Sequence, residues 1–184
     1  MKTIVFLAGF MLSSLSFGVV GSKVIPKTHS VAGKTLSLNG KGIRKKFFVK
    51  VYEAGLYVPK TGMSAKNIIA ADEPMNFRMG FLRGVGVEKV VDAQTEGFSQ
   101  STATNPGLKP AVDTFNSYFK ADVSEGDVYD FAYTPGTGVQ VYINGKAVGN
   151  PVAGLAFKQA LFTIWLGNEP ADDDLKEALV PAAH

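Results

Sequence analysis

Between Leu38 and Pro59 the chain reads LNGKGIRKKFFVKVYEAGLYVP, and this run constrains the fold more than any other. From Phe47 to Val58 it is crowded with Phe, Val and Tyr. These residues suit a pleated, half-buried surface, so the stretch predicts a long strand. Its apolar positions do not alternate cleanly, as expected of a strand buried on both faces over part of its length. Upstream, Thr35 to Leu38 predicts a first strand, Asn39-Gly40 a tight turn, and Gly42 to Lys46 a short segment opening into the long strand. Pro59 and Gly62 close it. Residues 19–33, mixed and polar with Pro26 among them, predict an extended lead-in.

Beyond this run the periodicity changes several times. Ser64 is placed to cap a short helix to Ala70. Met75 to Leu82 alternates, with Met75, Phe77, Met79 and Phe81 on one face and Asn76, Arg78 and Gly80 on the other. Val87 to Ser99 predicts a helix whose stripe is Val87, Val90, Val91, Gln94 and Phe98. Ala111 to Lys120 predicts another, with Val112, Phe115 and Phe119 on one side. Val128–Tyr133 and Gly138–Ile143 form a hairpin around Thr134 to Gly138. Asn144-Gly145 turns into a short strand, Lys146–Val148. Phe157 to Leu166 is apolar and helical, stopped at Gly167, and Asp172 or Asp173 caps a last helix, Asp174 to Leu179. Strands, helices, strands, helices is not a repeated βαβ order. It predicts an α+β domain, a largely antiparallel sheet covered by helices.

Composition removes several functions. The chain has no cysteine and two histidines, which excludes disulfides, thiol catalysis and thiolate metal sites and argues against a histidine zinc site. The net charge of +3 is thinly spread, and no basic stretch exceeds Arg44-Lys45-Lys46, so no nucleic-acid partner is predicted. No cofactor motif is present. Gly136 and Gly138 lack the Lys-Ser/Thr of a phosphate loop and mark a hairpin turn. Asp172 to Asp174 lacks calcium-loop spacing. Glu53, Glu88 and Glu96 form no paired-carboxylate arrangement. At the start, Lys2, the apolar run Ile4–Leu12 and the small residues Ser13–Gly18 read as a secretory signal peptide over 1–18. Cleavage after Gly18 or Gly21 leaves one domain, 19–184, with no stable membrane span. The expected location is periplasmic or secreted.

The segments Gly40–Arg44, Phe47–Tyr57, Phe81–Gly84, Pro135–Gly138, Val141–Lys146 and Phe157–Gly167, in this order and spacing, resemble the chalcone isomerase-like family, specifically its exported bacterial branch. The resemblance spans residues 35–179. It implies an open-faced antiparallel sheet packed against a layer of helices, with a ligand cleft between them. Family members either cyclise chalcones, bind fatty acids, or have no established catalysis.

The arginine after the Gly-x-Gly turn corresponds to Arg44. In the enzymes this arginine polarises substrate, and in the fatty-acid binders it meets a carboxylate. A guanidinium fork suits either oxygen. Read from the residues alone, Arg44 is better taken as one of three solvated turn cations; it is the resemblance that implies a place in the cleft. Tyr52 stands where the enzymes place a threonine, Val87 where they place a tyrosine, and Gln94 where they place an asparagine. Val87 has no hydroxyl, and losing such a donor costs about 10²–10³ in rate, so chalcone cyclisation is not expected. Arg83, at the end of its strand, is a second candidate cation. Trp165 reads as core, and Tyr57 as structural.

The resemblance therefore implies binding of a small apolar carboxylate such as a fatty acid, without catalysis, at Arg44, Tyr52, Arg83, Val87 and Gln94. Two alternatives stay open: an isomerase or lyase acting on an enone-like substrate, and an envelope protein-interaction or assembly module with the cleft collapsed.

Overall fold

The computed structural model describes residues 24–181. The expected signal peptide and both candidate cleavage positions lie outside them. Seven strands follow one another in space as they do in sequence, every neighbouring pair antiparallel. They are β1 (Thr28–Val31), β2 (Lys34–Lys46), β3 (Val49–Val58), β4 (Met75–Phe81), β5 (Val128–Thr134), β6 (Gly138–Ile143) and β7 (Lys146–Val152). Five helices cover one face: α1 (Ala65–Ala70), α2 (Val87–Thr104), α3 (Lys109–Asn116), α4 (Leu155–Leu166) and α5 (Asp173–Leu179). This is the expected α+β architecture.

Alternation decides what each sheet face carries. Tyr52, Ala54, Leu56 and Val58 of β3 face the helices, as do Met75, Phe77, Met79 and Phe81 of β4. Tyr129, Phe131 and Tyr133 of β5 join them in the main core. Against them α4 presents Phe157, Leu161, Phe162 and Trp165, which explains why it is apolar on nearly every side. Phe98, Phe115 and Phe119 complete a set of ring contacts, for example Phe98–Phe115 at 5.8 Å and Phe115–Phe119 at 5.2 Å between centroids.

The opposite face has its own smaller core of Ile25, Val31, Leu36, Tyr57 and Ala132. The expected lead-in is here a docked segment. A Cβ on Gly80 would lie 2.1 Å from Val24 Cγ1, and one on Gly55 would lie 2.6 Å from Ile25 Cγ2. The two glycines thus cut a channel for residues 24–26. Arg78 Nε donates to Val24 O at 2.7 Å, and the Tyr57 hydroxyl donates to Pro26 O at 2.9 Å.

The structure corrects the hairpin. Asn39-Gly40 is not a turn: β2 runs through it with a bulge between Leu38 and Gly40. The Asn39 amide is occupied by tertiary bonds, donating to Leu179 O at 2.8 Å and accepting from Gly62 N at 3.1 Å. The reversal falls at Phe47-Phe48, with Phe47 at φ 57°. The strand expected to begin at Phe47 begins at Val49. β1, unexpected from sequence, pairs Thr28–Val31 with Lys34–Ser37. β7 reaches Val152 and α2 reaches Thr104, both further than periodicity suggests.

Candidate functional site

The register of β2 against β3 sets Gly40 opposite Leu56, Gly42 opposite Ala54, and Arg44 opposite Tyr52. All three β2 positions therefore face the helices. α5 lies directly on the glycines: a Cβ on Gly40 would sit 2.3 Å from Ala178 O, and one on Gly42 would sit 2.7 Å from Ala178 Cβ. Arg44 is the next side chain on that face and is half-buried. Asp172 fixes this corner. Its Oδ1 accepts from Leu175 N at 2.8 Å as the N-cap of α5, and its Oδ2 accepts from Lys45 N at 3.0 Å.

Tyr52 is buried, its ring edge-on to Phe81 at 5.7 Å. Its hydroxyl oxygen accepts the indole N–H of Trp165 at 2.8 Å. Trp165 stacks on Phe77 at 4.0 Å and is core, as expected. Burial pushes the Tyr52 phenol up to about 12, against the opposing pull of the Arg44 guanidinium. At neutral pH the phenol therefore keeps its proton. That proton has no acceptor among the described residues, and Arg44 makes no ion pair or hydrogen bond among them. Two facing donors, one charged and one neutral, are thus left without protein acceptors.

Val87 and Gln94 belong to the half-buried side of α2, where Val87, Val90 and Val91 pack against the main core. Val87 N–H donates to Asp122 Oδ1 at 2.9 Å, fixing the start of the helix. The Gln94 Oε1 is buried and has no hydrogen-bond partner, a state that costs free energy unless something donates to it. In all 18 residues of α2 only Phe98 is fully buried, so the first turns of this helix are weakly held. Arg83 is exposed, just past the end of β4, where Leu82 N donates to Val51 O.

Arg78 is engaged on the sheet's other face. Its Nη1 donates to both oxygens of Asp130, at 3.0 and 2.8 Å, and Asn76 Nδ2 donates to the same carboxylate at 2.7 Å. His29 lies 3.8 Å from it, its pKa lowered by burial against the pull of Asp130.

Sequence reading missed Lys158. It is fully buried in α4, and its Nζ donates to Ile68 O, Ile69 O and Ala71 O at 2.6, 2.9 and 2.7 Å. The ammonium caps the C-terminal carbonyls of α1. The available signal was that Lys158 is the one charged residue in a mostly apolar helix.

The surface of the described residues includes two shallow hollows. One, of about 400 Å³, lies beside Met63, Ala65 and Val180; the other, of about 190 Å³, lies between α2 and α4 at Ser101 and Gln159. Neither is lined by Arg44 or Tyr52. Among the described residues no group of His, Cys, Asp or Glu is placed to hold a metal ion, and no helix is long and apolar enough to cross a membrane.

A search of curated proteins finds no sequence match. Among solved structures, the crystal structure of a fatty-acid binding protein from Arabidopsis thaliana superposes with a TM-score of 0.70 at 20% identity, covering 88% of this chain and 95% of that one. At that identity the likeness is one of fold. The family model for chalcone isomerase-like proteins matches residues 18–180, nearly the whole of this sheet and its helices. The chain belongs to the chalcone isomerase-like family.

Proposed function

We infer that this protein binds a small apolar carboxylate, a fatty acid being the natural candidate, and does not transform it. The observation that carries the reading is the pair of facing donors. Arg44 is half-buried and makes no ion pair among the described residues, and none of them accepts the phenol proton of Tyr52, the residue opposite it. A carboxylate bridging the two would accept from both, and a partly dry site strengthens such bonds. The Trp165 N–H fixes the phenol oxygen from behind, so the O–H is aimed without further ordering cost. The tail would enter between the sheet and the first turns of α2, displacing the half-buried Val87–Gln94 stripe outward. Burial would contribute about 0.8 kcal/mol per CH₂ before ordering costs. The fatty-acid binding protein of like fold supports the same ligand class. Nothing in the site supplies the paired acid and base that an isomerase would need, and Val87 offers no hydroxyl.

Export is part of the same proposal: the leader-like residues 1–18 would direct the domain to the periplasm or outside the cell, as in the family's exported bacterial branch. A soluble carrier there would shield the apolar chain of its ligand from water.

Trp165 is the chain's single tryptophan and touches the Tyr52 hydroxyl, so its emission reports directly on the site. Titration with a medium-chain fatty acid is expected to shift that emission saturably. Arg44→Gln should weaken binding about 10- to 100-fold through loss of a charge-assisted bond, and Tyr52→Phe about fivefold. Arg83→Ala should leave it unchanged. Equal affinity in wild type and Arg44→Gln would sink the reading.

A further inference from the structure

The tip of the β2–β3 hairpin has no structural reason for its composition. Lys46 pairs with Val49, leaving the two-residue loop Phe47-Phe48. Such loops favour Asn or Gly where φ is positive, because a Cβ is strained there. This one places phenylalanine at φ 57°. Phe47 is 88% and Phe48 100% exposed, so neither ring repays that local cost by packing. Val49 and Leu82 are also among the exposed large apolar residues. Leu82 N donates to Val51 O at 2.9 Å, so the end of β4 brings Leu82 and the following Arg83 to the same end of the hairpin.

Around these apolar side chains stand Lys45, Lys46, Lys50 and Arg83. All four are exposed, and none is in an ion pair among the described residues. Asp172, the acidic residue bonded to this corner, has both oxygens committed to Lys45 N and Leu175 N. The tip is therefore two bare aromatic rings at an apex, ringed by four cations that make no ion pair among the described residues, with one carboxylate, Asp172, held at its base.

We propose that this hairpin tip is a docking site for an anionic lipid bilayer, with Phe47 and Phe48 entering the headgroup–acyl boundary and Lys45, Lys46, Lys50 and Arg83 meeting anionic headgroups. Shape favours a bilayer over a folded partner. A stable protein interface covers about 800 Å² per side, and two residues at the end of a narrow ribbon supply only a wedge. A bilayer accepts a wedge, and aromatic rings flanked by basic side chains are what its interface takes. The tip also begins three residues beyond Arg44, so docking would bring the proposed cleft to the lipid surface. The membrane contact itself does not depend on what the cleft binds.

The chain has no cysteine, so Val49→Cys in the full chain accepts a single environment-sensitive fluorophore beside the rings. Its emission should rise and shift to the blue on adding vesicles of phosphatidylcholine with phosphatidylglycerol, and much less with phosphatidylcholine alone. Phe47→Asn with Phe48→Ser should weaken the response at least about tenfold, from the loss of two buried rings. Asparagine also suits the positive φ, so the fold is expected to hold, which thermal melting checks. Glutamate at Lys45, Lys46 and Lys50 should abolish the response to the anionic vesicles, and about 0.5 M salt should weaken it. A probe that stays in water while the protein sediments with vesicles would place the attachment elsewhere and overturn the proposal. So would a Phe47→Asn/Phe48→Ser variant that responds like wild type. Self-association lost in that variant, with no vesicle response in wild type, would assign the tip to a second copy of the chain instead.

Discussion

Replacing Lys158 with methionine tests the buried ammonium. The substitution keeps the apolar stem and removes the donor of three bonds to α1 carbonyls. The bond to Ile68 O is fully buried, and an orphaned buried acceptor costs about 1–3 kcal/mol. The bonds to Ile69 O and Ala71 O are part-buried, and each counts for about half as much. Relief from dehydrating a cation offsets part of this, leaving a net loss of about 2–4 kcal/mol at pH 7. A pH signature separates this account from simple mispacking. Burial holds Lys158 at about 8, below the ordinary lysine value of 10.5, with Asp72 and Glu73 opposing the shift. Between those values the unfolded chain carries the proton and the folded chain does not. Wild-type stability should therefore rise from pH 8 toward pH 10, by up to about 1.4 kcal/mol per unit. The methionine variant should be flat there. Above pH 10 both should weaken, because the buried phenols of Tyr52 and Tyr129 are held up to about 12 and ionise first in the unfolded chain. Urea unfolding followed by circular dichroism across this range is the assay. A variant as stable as wild type at pH 7, together with a flat wild-type profile from pH 8 to 10, would refute the reasoning.

Two further substitutions probe the frame of the site. Gly40→Ala would drive a methyl into the Ala178 and Leu179 carbonyl oxygens, 2.3 and 2.5 Å from its Cβ; the expected loss is about 1–3 kcal/mol in denaturant unfolding, with α5 lifted off β2. Trp165→Phe leaves the Tyr52 hydroxyl without its buried donor and thins the stack on Phe77. It should cost about 1–3 kcal/mol and also weaken fatty-acid binding, measured by calorimetry since the fluorescent reporter is gone.

What could be read in the sequence follows from how local the signal is. β4 announced both its faces by alternation, and Phe77 and Phe81 lie where that pattern put them. Asp172 and Ser64 act as caps because capping depends on residues three positions apart. Asn39-Gly40 misled because its local meaning is a turn, whereas its glycine is demanded by α5, some 140 residues away, and its amide by Leu179 and Gly62. The true turn carried no turn residue, since Phe47 and Phe48 contradict local preference. Residues 24–26 were hidden because their partners are glycines and polar groups on distant strands, and β1 because its four residues, paired locally with Lys34–Ser37, carry a mixed polar pattern. For the site, the Arg44–Tyr52 juxtaposition depends on a bulge that shifts the register after Arg44, which no spacing rule predicts. Arg83 was named for its position at a strand end, and the structure leaves it in solvent. Lys158 was passed over because one lysine scarcely alters the apolar pattern of α4.

The most direct test of the central claim is the carboxylate itself. A fatty acid labelled with carbon-13 at C1 can be followed by NMR as pH is lowered in the presence of the protein. A head held by Arg44 and the Tyr52 hydroxyl should remain ionised well below the ordinary carboxylate range of about 4. In Arg44→Gln that depression should vanish. A bound carboxyl that titrates identically in wild type and variant would contradict the assignment of Arg44 as its anchor.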